Sequence, residues 1–269
     1  MVKTAIDNNI YATGDLHMAE SISDIKSKFN NLKYDEFQGF VDAYSGDTRS
    51  GVIQLVGKAA KAIEKHNAEI ERTERMLSYE REYSCYSAIC GIDEVGRGPL
   101  AGPVVAGAVI LPKDERILYL NDSKQLTAAK RDELYDVIYA KAVAVSIGIV
   151  DHKRIDEINI LQATYEAMRM AITDLKIKPD ILLNDAVTIP EVDIRQVPII
   201  KGDAKSCSIA AASIVAKVTR DRMMEEMDSK YPGYGFAGNK GYGSAEHIKA
   251  IRELGPCPIH RMTFIKNFI

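Results

Sequence analysis

Apolar runs alternate with polar breaks along the last two thirds of the chain, and their lengths predict the elements. Ala88-Ile89-Cys90 and Val104–Leu111 flank a turn dense in Gly and Pro and read as two strands. Ala142–Val150 is β-rich and apolar and reads as a third strand. Residues 180–184 predict a short buried strand that ends on Asp185, and Gln196–Ile200 another that ends on Lys201-Gly202-Asp203. Elsewhere the apolar spacing is helical. A helix from Thr127 places Leu134, Val137 and Ile138 on one face, and Asn159 caps a helix to Leu175 with Leu161, Met168 and Ile172 inward. Ser206–Lys230 reads as a long helix whose Ala-rich first half allows close packing, and Ala245–Leu254 as a short one. Three strands, then helices alternating with two more strands, predict an α/β fold: a mixed five-stranded sheet flanked by helices.

The first third has a different rhythm. Ser21 caps a helix to about Asn30, a second covers Tyr34–Ala43, and one long helix is expected over Gly51–Glu82. Its later part keeps Ile63, Ile70 and Leu77 at heptad spacing among charged residues. Residues 1–85 therefore predict a small all-α accessory domain ahead of the α/β domain at 86–269. Gly51–Lys58 has the wrong inter-glycine spacing for a phosphate loop, and Ala59 stands where Ser or Thr is needed.

Composition narrows the setting. No apolar run approaches the ~18 residues of a membrane span, and Met1–Asp15 lacks the apolar core of a signal peptide. The four cysteines fit a reduced compartment, so a cytoplasmic protein is expected. Cys257 and His260 have a C-x-x-H spacing, but no second pair completes a zinc site. The net charge of −3 argues against bulk electrostatic binding of nucleic acid, not against a local basic groove. Residues 86–269 hold 24 Lys and Arg against 24 Asp and Glu. Gathering several of those acids at one site would leave the rest of this part net basic.

The acids supply the candidate chemistry. Asp93, Glu94, Asp185 and Asp203 fall at three strand ends, and ligands of open α/β sheets collect at strand ends. Like charges brought together must be solvated, protonated or neutralised by cations. An oxygen-only set without His or Cys suits Mg²⁺ or Mn²⁺, and two such ions suit phosphodiester hydrolysis. The turn Gly96-Arg97-Gly98 loosely matches a dinucleotide fingerprint, but Pro99 and Pro103 lead into a strand rather than the required helix. A bare glycine backbone instead allows close approach to a sugar. Lys240-Gly241-Tyr242-Gly243, among Tyr231, Tyr234 and Phe236, offers either a core anchor or a ring that stacks on a sugar or base. Lys124, Lys201, Lys205, Lys217 and Arg220 are candidate phosphate contacts.

Taken together these segments resemble one family. Gly91-Ile-Asp-Glu-Val-Gly-Arg-Gly-Pro-Leu-Ala-Gly-Pro103 resembles the signature of type 2 ribonuclease H, the bacterial ribonuclease HII. Asp122-Ser-Lys-Gln-Leu126 is similar to its D-S-K-x-L loop. Lys201-Gly-Asp203 and Ala211–Asp221 are similar to its K-G-D and A-A-S-I-x-A-K-V-x-R-D blocks. The His-Lys-Gly-Tyr of many members is Asn239-Lys-Gly-Tyr242 here, and Asn184 puts a polar residue before the second aspartate. Ribonuclease HIII lacks the Gly-Arg-Gly triplet, and its extension contains β-structure. Helical extensions on HII proteins of Gram-positive bacteria look similar to residues 1–85.

The resemblance implies an RNase H-like fold and endonucleolytic cleavage of RNA paired to DNA, including single ribonucleotides embedded in duplex DNA. Products would end in 3′-hydroxyl and 5′-phosphate, with Mg²⁺ or Mn²⁺, two ions per site, as cofactor. It implies Asp93, Glu94, Asp185 and Asp203 as catalytic metal ligands. Gly96, Arg97 and Gly98 would read the ribose 2′-hydroxyl, Ser123 and Lys124 would bind substrate, and Tyr242 would stack at the ribose-to-deoxyribose junction. The partners expected are RNA–DNA hybrid and ribonucleotide-containing duplex DNA, with no membrane and a monomeric protein.

Overall fold

The computed structural model describes residues 20–269; the expectation for Met1–Asp15 lies outside them. The described helices begin where Ser21 was expected to start them. Its hydroxyl accepts from the Asp24 amide at 3.2 Å and opens α1 (Ile22–Asn31). Helices α2 (Phe37–Tyr44) and α3 (Ser50–Met76) follow. Ile25, Phe40, Val52, Leu55 and Ala59 are buried together and form a small core. By packing the chain divides into two units, one up to Ala68 and one from Glu69 to Ile269, so the division falls inside α3.

The single helix expected to reach Glu82 breaks at Leu77, and α4 (Ser78–Glu82) starts anew. Met76 and Leu77 are buried in the second unit with Ile117, Leu120 and Cys207, so core packing overrides the heptad spacing. The break aims Glu80 at a helix start. Its Oε1 accepts from the Ser206 hydroxyl at 2.6 Å, the Ser208 amide at 2.9 Å and the Ser208 hydroxyl at 2.7 Å. Glu80→Ala is therefore expected to destabilise the second unit by about 1–2 kcal/mol, the usual cost of a lost cap. Thermal denaturation checks it; an unchanged melting temperature would show that the cap is dispensable. A truncation designed to remove only the first unit should accordingly stop at Ala68, because one that reaches Glu80 removes this carboxylate.

The sheet has the order β3-β2-β1-β4-β5. Strand β2 (Val104–Ile110) pairs antiparallel with both β1 (Ile89–Val95) and β3 (Ala144–Val150). Strands β4 (Ile181–Asp185) and β5 (Arg195–Ile199) are parallel to β1. The expected mixed five-stranded sheet flanked by helices is thus observed, with one shift: β1 continues through Asp93 and Glu94 to Val95, so these acids belong to the strand and not to the turn.

Helix α5 (Ala128–Lys141) is capped by Thr127, whose hydroxyl accepts from the Lys130 amide at 3.2 Å. Helix α6 (His152–Thr173) starts earlier than expected, on Asp151, and kinks at Asn159, where φ is 66°. Asn159 still caps the second half: its Oδ1 accepts from the amides of Leu161 at 3.0 Å and Gln162 at 3.2 Å. The kink turns Leu161 outward, 41% exposed, against the expectation that it packs inward. Met168 and Ile172 do pack, with Cys90, Ile92 and Leu182, on one face of the sheet.

Helix α7 (Cys207–Lys230) covers the other face. A Cβ on Gly91 would lie 2.0 Å from the Ser208 carbonyl carbon, and one on Gly107 2.5 Å from the Ala212 oxygen. Glycine at these positions lets the Ala-rich half of α7 lie directly on β1 and β2. The tail adds α8 (Phe236–Asn239), α9 (Ala245–Leu254) and α10 (Met262–Ile265) around Phe236, Ile251 and Ile265. All four cysteines are free, and among the described residues no helix is long and apolar enough to cross a membrane.

Candidate active site

Register brings the acids together. Ile92 pairs with Asn184 in the parallel β1–β4 ladder, so the next residues, Asp93 within β1 and Asp185 at the end of β4, stand side by side. Side chains alternate along a strand. Gly91 and Asp93 face α7, while Cys90 and Ile92 face α6. Leu183 faces α7 with Ile209, which places Asp185 on the same side. Asp203 lies in a 3₁₀ turn, Gly202–Ala204, just after β5. The Gly202 amide donates to Asp185 Oδ1 at 2.7 Å and ties that turn to β4.

The charges feel one another. Burial, Glu94 and then Asp185 push the Asp93 carboxyl well above the usual carboxylate range. The Ser213 hydroxyl of α7 beside it offsets part of the rise, and the Glu94 amide donates to Asp93 Oδ1 at 2.8 Å. Burial also raises Glu94; Arg97 opposes the shift, with Nη1 3.4 Å from the carboxylate, and Asp185 adds to it. Burial, then Asp122 and Asp185, raises Asp203, and Lys124 counters. Asp122 is an acid near the site that sequence reasoning left out, although its motif was in view. Among the described residues no three Asp, Glu, His or Cys side chains converge closely enough to hold an ion as they stand. The donor set is nevertheless oxygen-only, and Asp93 is buried at 7% exposure beside two other acids. Such a set fits a hard divalent cation and little else.

Two further loops meet next to the acids. Gly96 has φ 93°, and a Cβ there would lie 2.3 Å from Arg220 Nε, so only glycine fits. A Cβ position on Gly98 lies 3.7 Å from the Tyr242 ring, which is 41% exposed. The Leu100 amide donates to the Gly241 carbonyl at 2.7 Å and joins the loops. Asn239 donates to the Tyr234 carbonyl and accepts from the Gly241 amide, both at 2.7 Å. Buried Asn184 similarly ties the turn after Asp185, donating to Gln196 Oε1 at 2.8 Å and to the Val187 carbonyl at 3.1 Å.

Several candidates sit elsewhere than expected. Ser123 is 3% exposed and its hydroxyl accepts from Ser213 at 3.0 Å, so it faces the interior and not a ligand. Lys124, Lys201 and Lys205 are exposed. Lys217 is held by Asp221 at 2.5 Å and is not free for phosphate. Arg220 is fully buried and donates to the carbonyls of Pro103 (2.9 Å), Lys240 (2.8 Å) and Ala101 (3.1 Å); it is a loop clamp and not a phosphate contact. Arg261 escaped sequence reasoning. It too is fully buried, donating to Gly102 (3.0 Å), Arg97 (3.0 Å) and Gly96 (2.6 Å) carbonyls. Burial pushes Arg220 down to about 10; burial, with Arg220 nearby, pushes Arg261 down to about 9. A basic residue in a Pro-rich apolar tail was its one sequence signal. Cys257 and His260 bind no common partner: the Cys257 amide donates to His260 Nδ1 at 2.8 Å.

A mixed β3-β2-β1-β4-β5 sheet with oxygen-only acids on its central parallel strands fits a metal-dependent endoribonuclease of the ribonuclease H type. The family described as Ribonuclease HII matches residues 90–267, and the Ribonuclease HII N-terminal domain matches residues 21–84. The chain belongs to the ribonuclease HII family. It is 63% identical over 246 residues to Ribonuclease HII of Lachnoclostridium phytofermentans, covering 91% of this chain and 97% of that one. It is 50% identical over 252 residues to Ribonuclease HII of Clostridioides difficile, covering 93% and 99%. Among solved structures, ribonuclease H2 from Pyrococcus horikoshii superposes with a TM-score of 0.58 at 30% identity, covering 67% of this chain and 96% of that one.

Proposed function

We propose that the enzyme hydrolyses the RNA strand of RNA–DNA hybrids and also cuts at single ribonucleotides embedded in duplex DNA, leaving 3′-hydroxyl and 5′-phosphate ends. The observation that carries this reading is the juxtaposition of two devices: Asp93 beside Asp185, and Gly98 close to the Tyr242 ring on the adjoining loops. Asp93, Glu94, Asp185 and Asp203 would hold two Mg²⁺ or Mn²⁺ ions. When bound, such ions supply an activated water and stabilise the leaving oxygen. The protein's own part is to gather the ligands, and the Gly202 and Glu94 amides orient Asp185 and Asp93 for it. The backbone of Gly96-Arg97-Gly98 would hydrogen-bond the 2′-hydroxyl that DNA lacks. Tyr242 would stack where ribose gives way to deoxyribose. Exposed Lys124, Lys201 and Lys205 would meet the phosphate backbone.

The test is a duplex carrying one ribonucleotide, incubated with and without Mg²⁺. Mg²⁺-dependent cleavage at that nucleotide, absent on all-DNA duplex, is the expected result; cleavage of hybrid only would reduce the reading to hybrid hydrolysis. Tyr242→Ala is expected to lower junction cleavage about 10- to 100-fold, the worth of one lost base-stacking contact. Duplex affinity should change much less. Equal losses in both would make Tyr242 merely structural.

A further inference from the structure

We infer that His247 and His260 are positioning residues for the Tyr242 loop: a pair of neutral imidazoles that carries one unbroken hydrogen-bond relay from the Cys257 amide to the Tyr242 carbonyl. The inference rests on the reading of Tyr242 as the junction-stacking ring. Both histidines are buried, at 0% and 1% exposure.

The donors and acceptors leave one consistent assignment. The Cys257 N–H points at His260 Nδ1 from 2.8 Å, so that nitrogen offers its lone pair and the ring proton sits on Nε2. The Cys257 carbonyl is farther from the same nitrogen, at 3.3 Å, and competes poorly. His260 Nε2–H then donates to His247 Nε2 across 3.0 Å. That leaves the His247 proton on Nδ1, where it donates to the Tyr242 carbonyl at 2.8 Å. The same carbonyl also accepts from the Ser244 amide at 2.9 Å, which uses its second lone pair.

Geometry links this relay to the site. The backbone of His260 forms a bridge with Ala101, the Gly102 amide donates to the Ile259 carbonyl at 2.9 Å, and the Arg261 amide donates to the Leu100 carbonyl at 2.8 Å. The segment Ile259–Arg261 thus holds the chain just after the Gly-Arg-Gly triplet by its backbone, and the His260 ring in that segment reaches the Tyr242 loop through His247. The distance between Gly98 and the tyrosine is set from behind by this connection. The rings are enclosed by Tyr234, centred 5.1 Å from His260, and Phe236, 5.3 Å from His247. An apolar pair would fill that space without desolvating four ring nitrogens, so the polar relay calls for a reason beyond packing.

The test compares His247→Phe, which fills the space without donors, and His247→Asn, whose side-chain amide reaches the position of Nδ1. Each is made in wild-type and Tyr242→Ala backgrounds, and kcat and KM are read on a duplex with one ribonucleotide beside the melting temperature. A positioning role predicts that His247→Phe lowers kcat/KM about 10-fold in the wild type and less than about 2-fold without the tyrosine ring, a coupling expected only for interdependent sites. His247→Asn should recover most of the loss. Equal losses in both backgrounds, or no recovery by the asparagine variant, overturn it. His260→Leu, which removes the donor towards His247, replaces His247→Phe if the latter does not fold. If Tyr242→Ala cleaves like wild type, the junction reading fails. The relay is then decided by ¹⁵N NMR of the imidazoles at neutral pH: protons on His260 Nε2 and His247 Nδ1 support it, and any other pair of tautomers overturns it.

Discussion

Replacing Asp93 with asparagine is expected to abolish cleavage while raising the stability of the metal-free protein. Activity should fall at least about a thousandfold, or about 4 kcal/mol of barrier. The side chain is nearly isosteric and keeps the bond in which Oδ1 accepts from the Glu94 amide, so the fold survives. The stability effect follows from the buried charge. Burial, Glu94 and Asp185 raise the Asp93 carboxyl in the folded state. A group raised on folding contributes stability that is full below its unfolded pKa, near 4 for aspartate, and is lost as pH rises through the higher folded value. Wild-type protein in chelator should therefore melt at lower temperature at neutral pH than at mildly acidic pH. The Asp93→Asn variant should show a flatter profile but not a level one, because Glu94 and Asp203 are raised as well. Adding Mg²⁺ at neutral pH should raise the wild-type melting temperature by a few degrees and that of the variant by less. A variant that cleaves at a substantial rate, or a wild-type melting temperature indifferent to both pH and Mg²⁺, would remove Asp93 from the metal site.

Arg261→Met should be the most damaging change outside the acids. Three carbonyls, of Gly96, Arg97 and Gly102, lose a charged donor at once. A cost of about 3–5 kcal/mol is expected, since buried acceptors left without partners carry their full desolvation penalty. Arg261→Lys should rescue little. An ammonium cannot span three carbonyls that a planar guanidinium reaches together. Denaturant titration measures the stability, and the ratio of single-ribonucleotide to all-DNA cleavage reports the state of the Gly-Arg-Gly loop. Wild-type stability and selectivity in Arg261→Lys would show that the fork geometry is idle.

What was legible in the sequence follows from what is local. Strand and helix periodicity located all five strands, and the four candidate acids stood out in the sequence because the apolar runs they follow are marked by the residues around them. Asn159 was legible as a cap but not as a kink, because the turn of helix before it gave no separate signal. Only the later part of the helix expected over Gly51–Glu82 rests on heptad spacing. Its break at Leu77 depends on Ile117, Leu120 and Cys207, which lie far along the chain. Lys217 and Arg220 looked like solvent cations because charge is visible in a sequence and burial is not.

The sequence by itself determined the chemistry on offer: which carboxylates exist, that each lies in or just after an apolar run, and that glycines flank the turn after the first pair. Those are matters of residue type and short-range spacing, which the chain carries in order. Only the tertiary structure decided that Asp93 stands beside Asp185, because that depends on the register of two strands far apart in the chain. It also decided that Arg220, Arg261 and the two histidines hold the Gly-Arg-Gly and Tyr242 loops from behind. A buried donor is chosen by whichever carbonyls the fold brings within about 3 Å, and no local pattern records where those carbonyls will be.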